Sequence, residues 1–142
     1  MSNIEFIPFK KEHAQHILQH GLNDAALELE PQHEKYVYAL AGIYNNKPIA
    51  SGGVNQLWDG VAEGWVLASK EIFEHPITFA RTMKLRTDYL AKNNNIKRIQ
   101  TAVKADCKLA IRFCEWLGFN QEGLMKKYGP DGADYFRYAK VY

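Results

Sequence analysis

Polar and apolar residues alternate over Asn3–Phe9 (NIEFIPF), which puts Ile4, Phe6 and Pro8 on one side and predicts a short strand. Pro8 has no N–H to give to a ladder, so this strand belongs at a sheet edge. From Lys10 to Leu22 the apolar spacing changes to three and four, and Ala14, Ile17, Leu18 and Leu22 line one face of an amphipathic helix. Asp24–Lys35 reads as a second short helix, interrupted or restarted at Pro31. Tyr36–Tyr44 and Pro48–Leu57 are rich in β-formers and are joined by Asn45–Asn46–Lys47, a hairpin signal. Gly52–Gly53 inside the second of these strands points to a bulge or to close approach of another backbone. Trp58–Asp59–Gly60 then turns the chain into Val61–Ser69, a third strand with Gly64 at a bend or bulge.

After a connection over Lys70–His75, Pro76 opens a helix that runs to about Asn93, since proline is favoured at the first helical position. Phe79, Ala80, Met83, Thr87 and Leu90 form its buried stripe, and Arg81, Lys84, Asp88 and Lys92 face outward. Ile96–Phe119 is the clearest unit in the chain. Ile96, Ile99, Ala102 and Val103 make a strand, Asp106 is suited to cap a helix, and Ala110, Ile111, Cys114 and Leu117 share one helical face. Gly118 falls where a helix ends in the left-handed conformation. Two further strands, about Asn120–Tyr128 and Asp134–Val141, flank a Gly129–Pro130–Asp131–Gly132 turn. The order is βααβββαβαββ. A three-strand meander followed by a crossover helix requires a mixed, mostly antiparallel sheet of about seven strands with flanking helices, an α/β (α+β) fold.

Composition narrows the function classes. The 142 residues are 46% hydrophobic and 24% charged, as expected of a single globular domain over 1–142. A net charge of +2 with intermixed signs gives no global case for nucleic acid, and Arg81, Lys84, Arg86, Lys92 and Lys97–Arg98 do not share one helix face. No apolar run approaches a membrane span, and MSNIEFIPFKK lacks a signal-peptide core, so the expectation is a cytoplasmic protein. Cys107 and Cys114 sit two helical turns apart, about 10 Å, too far for a disulfide. His13, His16 and His20 recur at helical spacing, but no Cys or carboxylate pattern completes a metal site, and none is expected.

The element order, together with AIRFCEWLGF (Ala110–Phe119), resembles the GNAT (Gcn5-related N-acetyltransferase) superfamily. The penultimate helix there carries A-x-x-x-Y-x-x-x-G-F, and Ala110, Gly118 and Phe119 fall on that pattern. GWVLAS, HPITFAR and YGPDGADYFRYAKVY also resemble small phage-encoded members related to an internal virion protein of T7-like phages. The resemblance implies that Val61–Ser69 and Ile96–Ala105 splay apart and receive acetyl-CoA. Unpaired backbone groups around Val66, Leu67, Ala68 and Ser69 would then pair with the pantetheine amides. The N-terminus of helix Pro76–Asn93 would meet the pyrophosphate. Phe73–Arg81 has none of the glycines usual in that loop, so Thr78, Arg81 and Lys84 would supply a hydroxyl and positive charge instead.

By the same resemblance Glu63 would deprotonate an amine acceptor, and N–H groups near Leu67–Ala68 would polarise the thioester carbonyl. Cys114 stands where the family often has a general-acid Tyr, and Cys107 where it often has an Asn near pantetheine. The plainer alternatives are an outward-facing Glu63 and a buried apolar filler at Cys114. Trp58, Trp65, Tyr128, Tyr135 and Tyr138 would either line an acceptor pocket or fill the core. Two functions follow. One is an acetyl-CoA-dependent N-acetyltransferase acting on a small-molecule or protein amine. The other is a catalytically degenerate GNAT-like phage protein that works in virion assembly or host interaction through a phage or host protein. A homodimer stays open in both.

Overall fold

A computed structural model of the chain describes residues 4–19 and 37–142. Seven strands form one sheet: β1 (Glu5–Pro8), β2 (Val37–Tyr44), β3 (Lys47–Trp58), β4 (Val61–Ala68), β5 (Arg98–Lys104), β6 (Asn120–Met125) and β7 (Tyr135–Val141). Their order is β1-β2-β3-β4-β5-β7-β6, with β4 and β5 parallel and the β1–β2, β2–β3, β5–β7 and β6–β7 ladders antiparallel. The helices are α1 (Lys11–Gln19), α2 (Pro76–Asn93) and α3 (Lys108–Trp116). The mixed sheet, the edge position of the Pro8 strand and the crossover at α2 agree with the pattern of the sequence. The helix expected over Asp24–Lys35 lies outside the described residues.

The chain divides into two compact units. One comprises the residues up to Asn55 together with Gly64–Arg81. Its core joins Ile17 of α1 to Trp65 and Leu67 of β4, with Phe9 and Ala39 packed alongside. The β2–β3 hairpin turns at Asn45 and Asn46, both left-handed at φ 49° and 62°, as a two-residue type I′ turn requires. Gly53 shows the expected close approach, because a Cβ there would lie 2.2 Å from the Tyr38 carbonyl oxygen.

The other unit comprises Gln56–Glu63 and Thr82–Tyr142. Ala62, Ala91, Ile96, Ile99, Val103, Cys114, Leu117, Phe119, Tyr138 and Ala139 are buried in it. Gly118 is left-handed at φ 94° and ends α3 as anticipated. Lys140 Nζ donates to the Leu117 carbonyl at 3.0 Å and to Asp88 at 2.8 Å, so one ammonium caps α3 and holds α2.

Two local expectations need correction. Lys70–Glu74 is a short 3-10 helix rather than a plain connection. Ser69 caps it by accepting from the Glu71 N–H at 3.3 Å, and Pro76 drives the preceding His75 out of helical geometry, to φ −137°. The N-cap of α3 is Cys107, with no side-chain cap bond, so Asp106 stands one residue too early to serve.

Candidate functional site

Glu63 occupies the last rung of a short parallel ladder, where Val61, Ala62 and Glu63 pair with Arg98, Ile99 and Gln100. Both of its carboxylate oxygens have donors. Gln100 Nε2 donates to Oε2 at 2.9 Å, and Arg137 Nη1 of β7 donates to Oε1 at 2.9 Å. Gln100 Oε1 in turn accepts from Arg98 Nε at 3.1 Å, and Arg98 forks onto both oxygens of Glu122, one arm at 2.9 Å. The result is a continuous chain, Arg137–Glu63–Gln100–Arg98–Glu122, across four strands. Side chains of its charged members are 20–41% exposed, so solvent and solutes can reach it.

A bulge makes the outer link. Gln121 pairs with Tyr138 and Gly123 with Arg137, leaving Glu122 as the extra residue of β6. The hydrogen bond from Arg98, and behind it the Arg98 charge, holds the Glu122 carboxyl below the usual range. The same bond raises Arg98. At the other end the Arg137 guanidinium stands 5.9 Å from the Tyr128 ring, and Tyr128 meets Tyr135 edge-on at 5.5 Å.

The neighbouring residue of β7 projects to the opposite face, as alternation demands. There Tyr138 is buried, and its hydroxyl donates to Glu115 of α3 at 3.1 Å. Cys114 shares this side, 5% exposed, and burial, helped by the Glu115 charge, pushes its thiol up to about 12. Glu63 and Cys114 therefore do not share a face of this unit.

The stretch expected to hold the cofactor has a different character. Leu67, Ala68 and Ser69 are buried and Val66 half-buried. The Ser69 N–H is already given to the Ile49 carbonyl at 2.8 Å, and the 3-10 helix uses the N–H groups of Glu71, Ile72 and His75. Pro76 has none. The first donors of α2 without a partner in the helix are the N–H groups of Ile77 and Thr78, since Phe79 already bonds to the His75 carbonyl. Thr78 and Arg81 are exposed on the next turn of this helix. These two amides, the Thr78 hydroxyl and the Arg81 guanidinium are the groups of this stretch that could meet an anion, and no glycine cradle stands beside them. Lys84 instead lies over the Trp116 ring at 5.4 Å, and Cys107 is half-buried at the start of α3, its N–H on the Lys104 carbonyl.

Of the aromatic candidates, Trp65 and Tyr138 are core residues and Trp58 is exposed at the end of β3. Tyr128 meets the Arg137 end of the charged chain, and Tyr135 touches Tyr128. His13 caps α1 by accepting from the Lys10 N–H at 3.0 Å, and His20 lies outside the described residues. No cluster of three metal-ligating side chains occurs among the described residues, and none of their helices is long and apolar enough to cross a membrane. Gln100, Glu122 and Arg137 do not stand out in the sequence, and Arg98 does so only among the basic residues weighed for nucleic acid. The sequence signal is confined to Arg98 and Gln100, polar residues at alternate positions of a strand otherwise rich in β-formers, RIQTAV.

No protein-family profile matches the chain, and no curated protein does. Solved structures do. The ribosomal-protein-S18-alanine N-acetyltransferase of Escherichia coli is 20% identical, with 98% of this chain and 94% of that one covered and a TM-score of 0.73. The ribosomal-protein-S5-alanine acetyltransferase of Vibrio fischeri is 16% identical over 99% and 96%, with a TM-score of 0.74. A GNAT-family acetyltransferase of Bacillus anthracis is 16% identical over 99% and 98%, with a TM-score of 0.71. The fold is that of the GNAT acetyltransferases. The resemblance to internal virion proteins of T7-like phages finds no support in these comparisons.

Proposed function

We propose that this chain is an N-acetyltransferase that moves an acetyl group from acetyl-CoA to a primary amine. The observation that carries the reading is Glu63: in a chain with the GNAT fold, it stands on the last paired rung between β4 and β5. Acetyl-CoA, when bound, would supply the acetyl group as a thioester open to attack by a nitrogen lone pair, the C–S bond breaking as the C–N bond forms and coenzyme A leaving as its thiolate. Ile77 and Thr78 would meet its pyrophosphate with backbone N–H groups, Thr78 with its hydroxyl and Arg81 with its charge. Glu63 Oε1 takes the proton that an ammonium must lose before its lone pair is exposed. Gln100 holds Oε2 and so keeps the carboxylate in place while Oε1 does this. Cys114 takes no part in this reading, because a thiol held near 12 is a far weaker acid than an ordinary cysteine at about 8.5.

The test is titration calorimetry of the whole chain with acetyl-CoA, followed by the variant Arg81→Glu. Binding in the micromolar range that the variant weakens at least tenfold is expected, because a like charge replaces an ion-pairing one. A second reading, a GNAT fold that transfers nothing, is favoured by the 3-10 helix that uses up loop donors. Absence of binding at millimolar acetyl-CoA would leave only that reading.

A further inference from the structure

The charged chain on Glu63 raises a question of availability. The oxygen assigned to receive the amine proton, Oε1, already accepts from Arg137 at 2.9 Å. A bare ammonium that took this oxygen would strand the Arg137 guanidinium, whose side chain is 20% exposed. A bare carboxylate that took Arg137 would strand Glu63, 27% exposed, in the same way. Leaving a partly buried charge without its partner is unfavourable in either case. A molecule carrying both charges one carbon apart replaces one ion pair with two and strands neither.

From this geometry we infer that the amine acceptor is a zwitterion, a free α-amino acid or a close analogue. Its ammonium takes Glu63 and its carboxylate takes Arg137. The inference rests on the acetyl-transfer reading of the site. The substrate's own carboxylate then does chemical work: it draws Arg137 off Oε1, and the carboxylate oxygen freed in this way accepts the ammonium proton. Arg137 is thus a positioning and specificity residue. The surroundings favour the exchange. Gln100 keeps Glu63 in place through its other oxygen, so the carboxylate does not follow the departing guanidinium. Arg98 already gives its Nε to Gln100 and both Nη atoms to Glu122, so its charge is paired and it is a weaker competitor for the substrate carboxylate. Tyr128, with Arg137 5.9 Å from its ring, offers the guanidinium a second partner besides Glu63.

The experiment uses the full chain without cofactor. Binding of L-alanine, L-lysine and L-phenylalanine is measured by NMR titration beside the three corresponding carboxamides, which keep the ammonium and lose the carboxylate. The best-bound acid is expected to exceed its amide roughly ten- to hundredfold, the worth of one charge-assisted contact. Arg137→Gln should abolish that preference, and Arg137→Lys should restore part of it. Circular dichroism of each variant separates loss of preference from loss of fold. Amides that bind as tightly as acids, a preference that survives Arg137→Gln in a folded protein, or no amino-acid binding at millimolar concentration would each overturn the inference. Acetyl-CoA calorimetry is independent of all three. Amino-acid selectivity without cofactor binding would sink the transferase reading alone, and cofactor binding without selectivity would sink the zwitterion alone.

Discussion

At the residue scale, the informative side chains are those whose chemistry differs from what their position in the chain suggests. Cys114 stands where an acid is expected, yet it is buried among apolar residues and keeps its proton to about pH 12. Cys114→Ala should therefore leave acetyl transfer within about twofold and lower stability by about 1–2 kcal/mol, the cost of a small cavity. A hundredfold loss of turnover in a folded variant would show the thiol to be the acid after all. Glu63→Gln keeps the shape and one acceptor oxygen but cannot take a proton, so turnover should fall by about 10²–10⁴-fold with folding preserved. Thiol release from acetyl-CoA measures both. Glu122 makes a pH prediction. Its native carboxyl is depressed by Arg98, so its contribution is present above the unfolded value of about 4.3 and lost as pH falls through the native one. Thermal melts of wild type and Glu122→Gln should differ at pH 6 and converge in acid, once the native carboxyl is protonated. A gap that persisted in acid would mean the residue acts through packing instead.

At the element scale, legibility followed the range of the interactions involved. The strand-helix alternation, the Pro76 start, the Gly118 stop and the Asn45–Asn46 turn are set by local periodicity and by φ preferences that single residues carry. The 3-10 helix was not visible, because Lys70–Glu74 becomes helical only through the Ser69 cap and the stop imposed by Pro76, too short a stretch to show a period. The charged chain was legible in part. Glu63 was singled out, but its partners Gln100 and Arg137 come from 37 and 74 residues away, and the bulge at Glu122 depends on β6–β7 register. No window of sequence contains those facts. The hairpin gives an element-level check. Asn46 sits at φ 62°, where glycine is unstrained, so Asn46→Gly should stabilise by about 0.5 kcal/mol in urea melts. Gly53→Ala should do the reverse by about 3 kcal/mol or more, since its Cβ meets backbone that has nowhere to move. A neutral Gly53→Ala would mean that β2 and β3 do not approach as described.

At the scale of the whole molecule, a ligand that binds only the folded chain must raise its stability by an amount set by its affinity. At a hundredfold excess over Kd that gain is about 2.7 kcal/mol, several degrees of Tm for a chain of this length. Acetyl-CoA should produce this shift. Removing the contacts that would hold its pyrophosphate should reduce the shift without changing the melting point of the free protein, because Thr78 and Arg81 are exposed and support no core. The double variant Thr78→Val/Arg81→Ala separates the two effects in one set of melts. It should melt with wild type in buffer and below wild type in acetyl-CoA. High salt should shrink the wild-type shift as well, since the proposed site would rest on one exposed guanidinium and two amides, and exposed charge is screened within about 10 Å at 0.1 M. A shift of equal size in wild type and double variant would place the cofactor elsewhere on the chain. No shift in either would leave the GNAT fold here without its usual chemistry.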